Sequence, residues 1–178
     1  MKMRMIIGCV LVWTTTAPVT AAEHVYLHPD EFITRSFADE VPPAQALWVT
    51  VELREELKRE FGWQPGMRIR YWQQDHRTAW ILDEIGKDKP ITAGVVIAGG
   101  KIESMAVLVF RESRGWEIKL PQFTAQFARA QLTETRELNQ HIDGITGATL
   151  SVRAMKRMAR VALRLHDQIP AGTASQAD

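Results

Sequence analysis

From residue 67 to residue 111, apolar and polar positions alternate in four successive stretches, and toward the C-terminus the period lengthens to that of a helix. Met67, Ile69 and Tyr71 alternate with Arg68, Arg70 and Trp72, which predicts a strand. After the polar turn 74–77, residues 78–85 predict a second strand, and Pro90 opens a third over 91–98. Gly99-Gly100 is a two-residue hairpin signal, so 101–111 returns as a fourth. In that strand Ile102, Ser104, Ala106, Leu108 and Phe110 fall on one face, with Met105, Val107 and Val109 on the other. Both faces turn apolar toward its end, which predicts a central strand covered on both sides.

Helical grammar brackets these strands. Pro29 followed by Asp30 and Glu31 marks a helix start, with His28 or a neighbour at the cap and Phe32, Ile33 and Phe37 as its stripe. Val41-Pro42-Pro43 stops it. Residues 46–51 fit either a strand or the lead-in to a helix. Over 52–61, Leu53, Leu57 and Phe61 recur every four residues and Gly62 follows, the signature of an amphipathic helix. Residues 121–131 predict a short helix with Phe123, Phe127 and Ala130 on one side, and 132–140 is polar and ambiguous. The longest helix is expected over 151–168. Val152, Met155, Ala159, Ala162 and Leu163 form its apolar face, and Arg153, Lys156, Arg157, Arg160 and Arg164 a basic one that is solvated by default. The expected fold class is α+β: an antiparallel sheet of about four strands with flanking helices and a long C-terminal helix.

The first 22 residues have a different character. Lys2 and Arg4 precede an apolar run from Met5 to Trp13, and Val19-Thr20-Ala21-Ala22 offers small residues for cleavage after Ala21 or Ala22. The run is shorter than the roughly 20 residues a membrane span needs, so a cleaved export signal over 1–22 is expected, with an uncleaved anchor as the alternative. Residues 23–46 then read as an N-terminal helical segment and 169–178 as a disordered tail. Cys9 is the single cysteine. The chain after the signal therefore has neither disulfide nor thiol chemistry, and a periplasmic location is expected. From residue 23 onward 20 basic residues face 21 acidic ones, which leaves no electrostatic footprint for nucleic acid. The histidines 24, 28, 76, 141 and 166 show no metal-ligand spacing, and no hydrolase elbow or paired-carboxylate pattern is present.

One run remains with chemical content: Asp143-Gly144-Ile145-Thr146-Gly147-Ala148-Thr149-Leu150-Ser151. It places hydroxyls at the start of the last helix, where unpaired N–H groups and the positive end of the dipole favour an anion. Gly147 and Ala148 leave room for a bulky group beside the backbone. On these grounds alone it is either a loop with a Thr cap or a carrier of phosphate.

The run closely resembles the flavinylation motif of the FMN-binding domain family. That family includes the covalent-flavin subunits of the sodium-pumping NADH:quinone oxidoreductase and of Rnf complexes, together with many small exported proteins. The family pattern is Asp-x-x-[Ser/Thr]-Gly-Ala-[Thr/Ser], and Asp143, Thr146, Gly147, Ala148 and Thr149 match it. The resemblance implies that a dedicated flavin transferase joins FMN through its phosphate to Thr149. It casts Asp143, Gly147 and Ala148 as the residues that enzyme recognises, and Leu150 and Ser151 as neighbours of the cofactor. Taken over 47–168, it implies an FMN-binding domain with no catalytic residue or metal of its own. The segment Glu112-Ser113-Arg114-Gly115-Trp116 follows the central strand where family members place a Glu or aromatic residue and a Gly-containing turn near the flavin. Several members have a Thr-Pro-Gly turn there and this chain does not, so a plain turn with an exposed Arg and a packed Trp is the alternative. Phe123 and Phe127 are candidates for a flavin wall or for core, and His141 for a flavin neighbour or a surface loop residue. The function implied is a periplasmic electron carrier that takes electrons from a membrane-bound flavin or haem protein, without a membrane span after cleavage. A reductase acting on a small soluble acceptor, with Glu112 or His141 as proton donor, is the alternative, and a domain without cofactor is a third.

Overall fold

The computed structural model describes residues 23–38 and 40–170. The export signal and most of the tail expected from sequence lie outside the described residues. Six strands form one antiparallel sheet: β1 (His24–Val25), β2 (Gln45–Trp48), β3 (Arg68–Gln74), β4 (Arg77–Ile85), β5 (Pro90–Ala98) and β6 (Lys101–Phe110). Their spatial order is β1-β6-β5-β4-β3-β2. The four strands predicted from alternation are the meander β3 to β6, and the expected count of about four is corrected to six. The two additions sit at the edges. β1 is two residues long, and three of the four β2 residues are exposed, so neither carries the half-buried alternation that announces a strand. The segment 23–46 thus holds one helix, α1 (Pro29–Ser36), all of β1 and the first half of β2.

Two layers cover the sheet. On one face the main core joins α2 (Val51–Glu56) and its continuation to β3–β6 and to the long helix α4 (Thr149–His166). On the other, Phe32 and Ile33 of α1, with Phe37 just past its end, pack with Trp72, Ala79, Val96, Leu108 and Val109. β6 is therefore covered on both sides as expected, but it is the penultimate strand rather than a central one, with β1 pairing it only at Val109 and Phe110, and its two faces do not alternate strictly. Its register against β5 slips between Thr92 and Ala93 and again between Val96 and Ile97. Each bulge adds one residue to β6. Ile102, Met105, Val107 and Phe110 consequently share the main core, while Leu108 turns to the α1 side beside Val109.

The helix predicted over 52–61 is α-helical to Glu56 and then widens into a π-turn over Leu57–Phe61, with Leu53, Leu57 and Phe61 all buried. Thr50 Oγ1 caps it by accepting from the Leu53 amide at 3.2 Å. The helix predicted over 121–131 is only α3 (Pro121–Thr124) plus a 3₁₀ turn, Ala125–Phe127. Phe123 and Phe127 meet edge-on at 5.6 Å inside the core, so neither is a flavin wall.

α4 crosses β4, β5 and β6 and buries ten side chains. Removing any one of its large ones, such as Met155 or Leu165, would cost about 2–5 kcal/mol. The helix axis is thereby fixed, and with it the position of its first residue, Thr149. No helix among the described residues is long and apolar enough to cross a membrane.

Candidate functional site

Thr149 is the first residue of α4, not its cap. The cap position belongs to Ala148, and no side chain bonds to the helix end. The first N–H groups of a helix have no intrahelical acceptor, so this end of an eighteen-residue helix is left to something outside the chain's own side chains. A Thr cap is therefore excluded. Thr149 and Thr146 are exposed, whereas Ser151 is buried; of the hydroxyls beside the helix start, Thr149 is open to a reagent and Ser151 is not. Gly147 supplies the turn into the helix at φ +82°, and a Cβ there would meet nothing within 4 Å. Its backbone conformation rather than its bulk is what the chain uses. Ala148 is buried.

The structure brings the 112–116 turn against this helix start. Gly115 adopts φ +87°, and a Cβ on it would lie 2.8 Å from Ser151 Oγ and 3.1 Å from the Ala148 Cβ. Between the turn and the helix opens a cleft of about 520 Å³, lined by Glu112, Ser113, Arg114, Gly147, Ala148, Thr149, Leu150, Ser151 and Lys87. Trp116 is not among these. It is 47% exposed and faces the Lys119 ammonium, 5.5 Å from its ring, which also lies 3.8 Å over Tyr26. Asp143 and His141 line neither side of this cleft; they form an exposed pair at 3.5 Å.

Glu112 is buried and its Oε1 accepts from the amides of Lys87, Asp88 (2.7 Å) and Lys89 (2.9 Å). Burial alone would raise its pKa, but these backbone bonds outweigh it and hold the carboxyl below its ordinary range. Glu112 is thus an ionised clamp on the β4–β5 turn. That turn delivers Lys87 to the cleft. Lys87 was not visible as a site residue in the sequence, because its place depends on a bond between positions 25 residues apart. With the helix end, Lys87 and Arg114 make the cleft mouth suited to an anion.

Residues 86–164 match the FMN-binding domain family. This stretch of the chain is similar to an FMN-binding domain. The match supports a flavin-binding protein, and the matched segment begins at the turn that Glu112 clamps and ends within α4. No curated protein is a significant relative of the chain. Within the domain, the uncapped helix end, the accessible Thr149 hydroxyl and the two cations fit a phosphate-bearing cofactor, and the cleft beside them has room for part of one. Among the described residues no cluster of three or more His, Cys, Asp or Glu is placed to hold a metal.

Proposed function

We propose that FMN is joined through its phosphate to Thr149 Oγ1 and that the domain works as an electron carrier outside the cytoplasm. The observation that carries this is the helix start: an exposed residue bearing a hydroxyl at the first position of α4, with no side-chain cap and a cleft beside it that Lys87 and Arg114 help to line. A phosphodiester keeps one negative charge, which a helix N-terminus stabilises by about 0.3–1 kcal/mol. Lys87 and Arg114 would add to that, and the covalent bond would prevent loss of the cofactor by diffusion. Bound flavin supplies the redox chemistry; the protein supplies attachment, orientation and electrostatics.

Electrons would come from a membrane-bound flavin or haem protein, and a flavin transferase would recognise Asp143, Gly147 and Ala148 during maturation. Asp143 suits that role because its carboxylate is exposed while its amide is held by Gln126 Oε1 at 2.7 Å. The proton donors that a stand-alone reductase would use are poorly placed for it. Glu112 is held ionised, and the His141 side chain is 83% exposed outside the cleft.

Expressing the chain with and without a flavin transferase tests the attachment. The expected result is a mass increase of one FMN unit and in-gel flavin fluorescence only with the transferase, both abolished by Thr149→Ala. An unchanged mass in the presence of active transferase overturns it, and a label retained in Thr149→Ala moves the bond to another hydroxyl.

A further inference from the structure

Thr149 borders a second groove of about 440 Å³ on the other side of α4. The helix lines it with Thr149, Val152, Arg153, Lys156, Arg157 and Arg160, positions three and four apart on one stripe. Phe61 and Ile142, both buried, close its floor. The basic face expected from sequence is not uniformly solvated. Arg157 bonds Glu84 at 2.9 Å; Arg160 bonds Glu137 at 2.9 Å and the Arg136 carbonyl at 2.6 Å; Arg164 bonds Glu56 at 2.8 Å. These three are consumed in fastening α2, β4 and the 132–138 loop to the helix. Arg153 and Lys156 are the exceptions: neither has a carboxylate within 4.0 Å among the described residues. They are also the two nearest to Thr149, one and two turns along the helix.

The position of these two has no internal explanation. The helix dipole stabilises cations at the C-terminal end, not here. Neither belongs to the hydrophobic core, Arg153 being exposed and Lys156 half-buried. Two uncompensated cations about 5–6 Å apart along a groove match carboxylates presented by an extended chain better than a single compact anion, which the helix end already attracts on the cleft side. We propose that this groove docks an acidic segment of a partner protein, with Arg153 and Lys156 as its charge contacts. Resting on the electron-carrier function above, this would bring a redox partner beside the residue that holds the flavin. Glu137, already paired with Arg160, does not oppose it.

The test uses fluorescence anisotropy of a labelled peptide of alternating Glu and Ala, with a Gln-for-Glu peptide as control, on the chain with and without flavin. The acidic peptide is expected to bind both forms, more weakly as salt rises. Arg153→Glu with Lys156→Glu should weaken it by about tenfold. The same charge change at the exposed Lys58 and Lys101 should change it by less than about twofold. Equal losses in both double variants, or equal binding of the Gln peptide, would overturn the docking site. So would displacement by inorganic phosphate from the unloaded chain together with no binding to the loaded one, which would give the groove to the cofactor's own phosphate. Because the unloaded chain is measured too, a failure of flavin attachment leaves this result readable.

Discussion

The two ends of α4 solve opposite problems with similar groups. Near its C-terminal end polar side chains are paired with one another: Trp80 Nε1 donates to Thr78 Oγ1 at 2.9 Å, Thr78 Oγ1 and His166 Nδ1 meet at 2.8 Å, and Arg164 locks onto Glu56. At its N-terminal end the hydroxyl of Thr149 is exposed, the cap position holds a methyl group, and the adjacent cations lack carboxylate partners. One near exception, the exposed Lys87–Asp88 contact at 3.6 Å, is too long and too wet to neutralise Lys87. A helix whose far end is pinned can leave its near end chemically unfinished without losing its place.

The largest effect that would disturb this contrast comes from Gly115, which holds the cleft turn against the helix start. Gly115→Ala forces a side chain into φ +87° and against Ser151 Oγ and Ala148. Strain and overpacking together should cost about 2–4 kcal/mol, measured by urea unfolding. Gly144→Ala, where a Cβ meets nothing within 4 Å and φ is not positive, should stay within about 0.5 kcal/mol. Equal stability of the two variants would mean that the turn is not packed as described.

Glu112→Gln is expected to act next most strongly. An amide keeps the shape but removes the charge from three backbone N–H bonds, a loss of about 1–2 kcal/mol. The folded carboxyl titrates below its unfolded value, so its contribution is present above the ordinary Glu pKa and is lost as pH falls through the folded one. The gap between Glu112→Gln and the parent should therefore close on acidification. A gap independent of pH would remove the ionised clamp. In the flavinylated chain the same variant should leave the Thr149 label intact, since Glu112 acts on the β4–β5 turn and not on the hydroxyl.

The sequence made these regions legible to different degrees. The meander was readable because β3, β4, β5 and β6 carry long apolar patterns, and α4 because its apolar stripe is continuous. The bulges in β6 were not, since an added residue changes which side chains face the core without changing composition. The edge strands pair through backbone groups that leave no side-chain signature. In the site, the motif 143–151 and the 112–116 turn could be singled out separately, but their juxtaposition, and the arrival of Lys87, depends on long-range packing. The fate of the basic face was hidden for the same reason: Glu56, Glu84 and Glu137, which neutralise three of its five cations, lie on three other segments.

His166 provides the smallest test, and it probes the pinned end. Thr78 Oγ1 accepts from the Trp80 N–H, which leaves its own hydroxyl proton free to donate to His166 Nδ1 as acceptor. That bond requires the neutral ring with its proton on Nε2. Burial is the first cause that depresses the His166 pKa, nearby His76 adds to it, and Asp167 opposes both. The unfolded chain takes up a proton near the ordinary His value of about 6.5 while the folded chain resists it. Stability should therefore be full above that pH and fall as pH drops toward the folded pKa. His166→Asn offers a neutral carbonyl acceptor to Thr78, so it should lower the thermal midpoint slightly at neutral pH and flatten its decline below pH 6.5. An unchanged decline in the variant would place the acid sensitivity elsewhere. It would then follow that α4 is anchored at this end by its apolar packing and the Glu56–Arg164 pair, without help from a neutral histidine.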